Sequence, residues 1–151
     1  MNIARRYVLV QFILFAVFVA STILVPSAPT SPIKLVGAIF MLVGVGVFVA
    51  ALIAHNQTNQ RPPKVSPTPS SKSRLVDRGI YGFVRHPIYT GVLAFTLGIA
   101  LWHGGLPVLA IWVVLLGFFW MKSLYEEKLL KQQYSDYRVY MKKTGRFIPG
   151  V

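Results

Sequence analysis

The chain contains no cysteine. That excludes a disulfide framework, a thiolate metal site and a cysteine nucleophile. Charge is also scarce. Only 13% of the 151 residues are Asp, Glu, Lys or Arg, about half the ~25% of a soluble domain. Acidic residues are the scarcest, four against sixteen Lys+Arg, for a formal net charge of +12. The three histidines, His55, His86 and His103, are scattered without ligand spacing, so no metal site is expected. What the chain has instead is apolar residues, 54% of the total. Mean hydropathy is +0.57. These residues sit in long runs, which excludes intrinsic disorder. A soluble nucleic-acid binder can be this basic but is not also this apolar. The length allows one domain, and the composition points to a bilayer as its solvent.

Four apolar runs stand out: Tyr7 to Val25, Ile33 to Ala54, Ile88 to about Trp102, and Leu106 to Met121. A helix needs about 20 residues to cross the hydrocarbon core, with ~17 as a lower limit. The first two runs qualify alone. The last two are short and separated only by His103-Gly104-Gly105. They read as a tight helical hairpin whose ends extend into polar flanks or meet a locally thin bilayer. The expected fold is an all-α membrane protein with about four transmembrane helices and a C-terminal amphipathic helix.

Basic residues set the expected orientation. Arg5 and Arg6 precede the first run, and the segment between Pro26 and Pro32 carries no charge. Arg61, Lys64, Lys72, Arg74, Arg78 and Arg85 follow the second run, and seven more basic residues follow the fourth. Fifteen of the sixteen thus fall on one side of a four-span chain, leaving Lys34. The positive-inside rule then places both termini in the cytoplasm, at the plasma membrane or, in a bacterium, the inner membrane. This asymmetry accounts for the +12 charge, together with contact to anionic membrane lipids. No nucleic-acid partner is needed. Ser27 and Ala28 offer small residues for signal cleavage, but the first run is longer than a usual signal core. A retained helix is expected.

The segment from Asn56 to Arg74 holds four prolines and many small polar residues. It reads as a solvated cytoplasmic loop. A single membrane domain follows, made of a plain N-terminal hairpin (1–54), a loop (55–74) and a motif-rich half (75–151).

The densest motif is Arg85-His86-Pro87-Ile88-Tyr89-Thr90-Gly91. Pro87 suits the first turn of a helix, where its missing N–H costs nothing. The helix start brings free amides and a positive dipole end beside Arg85 and His86, a setting for a carboxylate or phosphate. Gly91 lets a ligand or a neighbouring helix come close. The structural alternative is an interfacial Arg/His/Tyr belt. The second feature is Glu126-Glu127, two of the four acidic residues, side by side. Downstream, Leu130, Tyr134, Tyr137 and Met141 recur at helical spacing, the stripe of an amphipathic helix at the membrane. Both glutamates lie near that stripe and need partners. Arg85, His86, Arg146 or a ligand's amine or hydroxyls are candidates, and a solvated pair bridging nearby lysines is the alternative.

The stretch Gly79-Ile80-Tyr81-Gly82-Phe83-Val84-Arg85-His86-Pro87-Ile88-Tyr89-Thr90-Gly91, then Glu126-Glu127-Lys128-Leu129-Leu130, then Tyr134 to Tyr140 and Arg146-Phe147-Ile148-Pro149 resembles the isoprenylcysteine carboxyl methyltransferase and phospholipid N-methyltransferase superfamily of integral membrane enzymes. The resemblance covers about half the chain, from Leu75 on. It implies an S-adenosyl-L-methionine cofactor held between the last two spans and their cytoplasmic flanks. Tyr81, Arg85, His86, Pro87, Tyr89 and Gly91 match the first cofactor block, and Glu126 and Glu127 the second. Arg146 resembles the basic residue near the family's C-terminus that helps place the substrate or cofactor carboxylate. Arg146 and Glu127 are the residues expected nearest the chemistry. The implied activity is methyl transfer to a lipid-linked or small amphiphilic acceptor, a carboxylate or an amine. Such a displacement needs position more than acid or base, and contact between nucleophile and methyl group supplies ~7–11 kcal/mol. A non-catalytic membrane adaptor or assembly protein that keeps the fold is the alternative. A transporter is disfavoured, because the runs lack the ionisable residues of a conduction path.

Overall fold

The computed structural model describes residues 2–27, 29–68 and 73–150. Ala28 of the small-residue pair and Lys72 of the basic set lie outside them. The described residues form five α-helices and no strand: α1 (Ile3–Leu24), α2 (Ser31–Asn59), α3 (Pro87–His103), α4 (Leu106–Gln133) and α5 (Tyr137–Lys143), with one 3-10 turn (Gly79–Gly82) before α3. The Asn2 side chain caps α1 by accepting from the Ala4 N–H. Pro32 and Pro87 sit in the first turns of α2 and α3, where a proline is tolerated. Gly104, with φ 74°, ends α3 in the left-handed region that glycine reaches at no steric cost.

Three helices, α1, α2 and α4, are long and apolar enough to cross a membrane. At 17 residues, α3 spans ~26 Å, short of the ~30 Å core. The protein is an integral membrane protein; by length and composition three of its described helices suffice to span, and α3 is a shorter apolar helix. The helix after the fourth run also differs from expectation. No separate amphipathic helix begins there. From Met121 to Gln133 the chain has neither glycine nor proline, so α4 continues unbroken through both glutamates for 28 residues. The break comes at Tyr134-Ser135-Asp136, and only the seven residues of α5 follow. Similarly α2 outruns its apolar part by five residues, to Asn59.

The closest helix packing is between α2 and α3. A Cβ placed on Gly44 would stand 2.7 Å from the Gly91 carbonyl oxygen, and one on Gly98 2.5 Å from that of Gly37. Backbone meets backbone there, the usual way membrane helices gain contact where lipid supplies no hydrophobic drive. Of the two openings the sequence left for Gly91, the structure takes the neighbouring helix. On the other side of α3, Leu93 and Ala100 join Phe18 of α1 and Val108, Leu115 and Phe119 of α4 in one apolar cluster.

Candidate functional site

The site is assembled just before α3, where the chain leaves its polar loop. The segment before α3 runs extended and pairs with the segment after α5. Gly145 N–H donates to the Phe83 carbonyl (3.0 Å), Arg85 N–H to Gly145 (2.8 Å) and His86 N–H to Arg146 (3.1 Å). Two stretches some sixty residues apart in the sequence thereby set Arg85, His86 and Arg146 side by side. The Thr90 hydroxyl, one turn into α3, donates to the Phe147 carbonyl (2.9 Å) and fixes the same pairing.

All three cationic or potentially cationic side chains face Glu127. Arg85 Nε lies 2.9 Å from its Oε1 and Arg146 Nη2 2.9 Å from its Oε2. Arg146 Nε adds a second bond at 3.2 Å, and His86 Nε2 approaches to 3.3 Å. The Glu127 side chain is 2% exposed. A buried charge persists only when paired and hydrogen-bonded, and here one carboxylate holds three partners from two segments. Arg85 Nη1 also donates to the backbone carbonyls of Met141 and Thr144. Arg85 is therefore mostly occupied in tying α5 to α4.

Adjacent residues on a helix point ~100° apart. Glu126 thus faces elsewhere, into a cavity of about 490 Å³. It accepts from the Tyr89 phenol at 2.7 Å, and His86 Nδ1 stands 3.8 Å away. The Tyr89 and His86 rings lie parallel, centroids 5.3 Å apart. Tyr81, Arg85, His86, Tyr89 and Glu126 all line the cavity. Pro87 and Gly91 do not. Pro87 is fully buried at the start of α3, and Gly91 faces α2. Burial, with the charges of Glu126 and Tyr140 behind it, pushes the Tyr81 phenol above its ordinary range, so it stays neutral.

Sequence reasoning missed three contributors. Lys122 is 1% exposed and lines the cavity. Its ammonium donates to Gln11 of α1 and to the Val65 carbonyl (2.9 Å), and it stands 5.1 Å from the Tyr89 ring centroid. The one strongly polar residue of the first apolar run was the available signal. The loop is the second. Asn59 bonds both backbone groups of Arg74, and Pro67 is fully buried. The described part of the segment read as solvated thus forms a wall of the cavity. Tyr137 is the third, and it belonged to the stripe assigned to the membrane. It lines the cavity, is 1% exposed, and its hydroxyl has no hydrogen-bond partner among the described residues. A buried orphan hydroxyl in a cavity wall calls for a ligand or water.

A second hollow of about 640 Å³ lies between α3, α4 and the Arg146-Phe147-Ile148 segment. It is almost wholly apolar. Arg146 belongs to its rim, with its guanidinium carbon 4.5 Å from the Trp120 ring centroid.

A cavity with charged side chains in its wall and an almost wholly apolar hollow thus border one buried ion cluster in a membrane protein. The phospholipid methyltransferase family model matches residues 33–137. The chain belongs to that family. The match covers His86, Tyr89, Glu126, Glu127 and Tyr137 and stops before Arg146, whose place rests on geometry. Among solved structures, the chain is similar to a eukaryotic intramembrane Ras methyltransferase, isoprenylcysteine carboxyl methyltransferase. That similarity has a TM-score of 0.67 at 21% identity and covers 100% of this chain and 55% of the other. The phospholipid methyltransferase-like chain shares that fold and spans about half that enzyme's length. No curated protein matches it.

The cavity suits the cofactor that the sequence resemblance implied. Its volume lies within the ~300–1,000 Å³ of small-molecule sites. It offers a carboxylate for an amine or ribose hydroxyls and aromatic faces, with the buried, unsatisfied hydroxyl of a lining tyrosine nearby.

Proposed function

We propose that this chain is an S-adenosyl-L-methionine-dependent membrane methyltransferase acting on a lipid-linked or small amphiphilic acceptor, a carboxylate or an amine. One observation carries the reading: Glu126 lines a cavity together with Arg85, His86, Tyr89 and Lys122, and the buried Glu127 that binds Arg85 and His86 also binds Arg146, at the rim of an apolar hollow. A cavity that carries charged side chains and a hollow that is almost wholly apolar are thus tied to one ion cluster, as joining a water-soluble donor to a bilayer-soluble acceptor requires.

The cofactor, when bound, supplies an electrophilic methyl group on its sulfonium. The chain's own residues bind and orient. Glu126 holds an ammonium or ribose hydroxyls, and Tyr137 and Tyr81 supply neutral hydroxyls. Arg85 is left with Nη2 for a carboxylate, since Nε and Nη1 are engaged. Arg146 stands nearest the acceptor side. Its Nε and Nη2 are held by Glu127, and its Nη1 makes no hydrogen bond among the described residues. It orients the acceptor's polar end. Glu127 is then a positioning residue that acts through Arg146. A carboxylate acceptor arrives ionised. An amine acceptor needs a proton acceptor, and His86 lines the cofactor cavity with both ring nitrogens turned to glutamates, so a carboxylate acceptor asks less of these residues.

The proposed topology has α3 crossing as a fourth span, both termini on the cytoplasmic side, and the polar cavity open to the cytoplasm. Its support is the fifteen-to-one distribution of basic residues. The test is calorimetric binding of S-adenosylmethionine to folded protein in detergent, followed by transfer of labelled methyl into a lipid extract. Micromolar-scale binding and labelled lipid are expected. A folded protein that binds no cofactor would return the chain to the adaptor reading.

A further inference from the structure

The proposed function gives the apolar hollow to the acceptor, and the shape of the hollow says more. Its two walls are matching helix faces. On α3 they are Thr90, Ala94 and Leu97, and on α4 Val113, Gly117 and Trp120. Each set follows the three- and four-residue spacing that puts side chains on one face. In each set the middle residue is the smallest. Gly117 is the extreme case, because a Cβ built there meets nothing within 4 Å. In α2 and α3 the glycines at 37, 44, 91 and 98 are needed for backbone contact. Gly117 is required by no such contact.

The hollow is held open by fixed groups. Trp112 Nε1 donates to the Leu93 carbonyl at 3.0 Å. The Phe147 side of the roof is pinned through Thr90. At the polar end the Arg146 guanidinium lies over Trp120. A neighbouring protein helix would be a poor match for a groove that ends on a charged group. An amphiphile fits both ends: hydrocarbon along α4 from Trp120 to Trp112, ~12 Å at 1.5 Å per residue, and an anionic carboxylate or phosphate at Arg146.

From this geometry we infer that the hollow takes a single hydrocarbon chain of the acceptor and that Gly117 sets its width, making it a specificity-determining residue. The inference rests on the proposed function for the word acceptor. The occupancy it asserts is measured independently of methyl transfer. A side chain at Gly117 would fill the notch without touching the cofactor cavity, which does not include it. Gly46 of α2 supplies the control, since a Cβ there also meets nothing within 4 Å and it lines neither hollow.

The experiment is a titration with a lysophosphatidylethanolamine carrying a brominated acyl chain, on full-length protein in detergent. The chain has three tryptophans. Trp102→Phe removes the one away from the groove, leaving Trp112 and Trp120 to report quenching. Saturable quenching is expected, lost or weakened about tenfold or more in Gly117→Phe and unchanged in Gly46→Phe. Calorimetric binding of S-adenosylmethionine should be the same in all three. Relative to dodecyl or hexadecyl chains, hexyl chains should lose little from Gly117→Phe. Quenching that never saturates, or that is equal in Gly117→Phe and its parent, means ordinary annular lipid and overturns the inference. A change in particle size on Gly117→Phe would mean that a second copy of the chain covers the groove, and would also overturn it. Loss of cofactor binding in the parent protein would refute the methyltransferase reading and leave the quenching result standing.

Discussion

Glu126 and Glu127 are adjacent, equally charged and, in sequence, indistinguishable. The structure gives them opposite consequences. Glu127→Gln keeps the shape and removes the charge at the centre of Arg85, His86 and Arg146. Its new amide nitrogen would face arginine donors, donor against donor. With side-chain exposures of 2%, 9% and 14% for Glu127, Arg85 and Arg146, solvent screens this little. Removing one partner of a buried pair costs about 3–5 kcal/mol. At about 2–4 °C per kcal/mol for a chain of this size, the melting temperature in detergent should fall by roughly 6–20 °C. Glu126→Gln retains an oxygen that accepts from the Tyr89 phenol, so folded stability should change by about 1 kcal/mol or less. What it loses is the charge facing the cavity. A charge-assisted hydrogen bond is worth about 1.5–3 kcal/mol, so S-adenosylmethionine should bind roughly ten- to a hundredfold more weakly. The assays are thermal unfolding without ligand and calorimetric binding well below the melting point. A Glu127→Gln protein that melts like wild type would refute the clamp. A Glu126→Gln protein with unchanged cofactor affinity would refute the cavity assignment.

Tyr137→Phe should hold or raise the melting temperature of the ligand-free protein, because it deletes a buried hydroxyl without a partner. It should weaken cofactor binding in calorimetry if that hydroxyl completes the site, and equal affinity would show that it does not. Gly44→Ala would bring a Cβ within 2.5 Å of the Phe95 backbone nitrogen and should lower the melting temperature by several degrees through forced separation of α2 and α3. Gly46→Ala has open space around it and should be neutral, and matching melts for the two would refute the close-packed pair. Because the chain has no cysteine, single cysteines at Thr30, Lys64 and Lys143 report topology cleanly. An impermeant thiol reagent on intact cells should label Thr30→Cys alone, and labelling of Lys64→Cys or Lys143→Cys would reverse the proposed orientation.

The features that read well from the sequence were those set by local chemistry. Pro87 opens α3 because a proline at that position loses no hydrogen bond, and Gly104 closes it because glycine reaches φ 74° freely. The apolar runs marked the helices because bilayer burial needs long uninterrupted stretches. The misreadings came where local chemistry is silent. Lys122 to Gln133 has no breaker and no strong period, so the point where α4 leaves the membrane is not written in its residues. The polar loop after α2 reads as solvated by composition, yet a bond from Lys122 to the Val65 carbonyl folds it over the cavity. That bond links residues 57 positions apart, and no local pattern encodes it.

The two glutamates also take their places from contacts that no local pattern encodes. Their spacing from Leu130 placed both near the buried stripe, and both were assigned to the cofactor. A helix turns ~100° per residue, so two neighbours cannot serve one ligand equally unless it wraps the helix. What decides between them is the extended pairing of residues 83–86 with 145–146, which brings Arg146 beside Arg85 and gives Glu127 two arginines. Glu127 is thereby committed to the protein, and Glu126 is left facing the cavity. The division also accounts for a buried ion cluster in a chain so poor in acidic residues. One carboxylate joins α4, the entrance of α3 and the C-terminal segment, and so ties residues of the cavity to the rim of the apolar hollow. An apolar replacement of equal volume could supply similar stability. It could not hold Arg146 at the rim of the groove, as Glu127 does through Nε and Nη2.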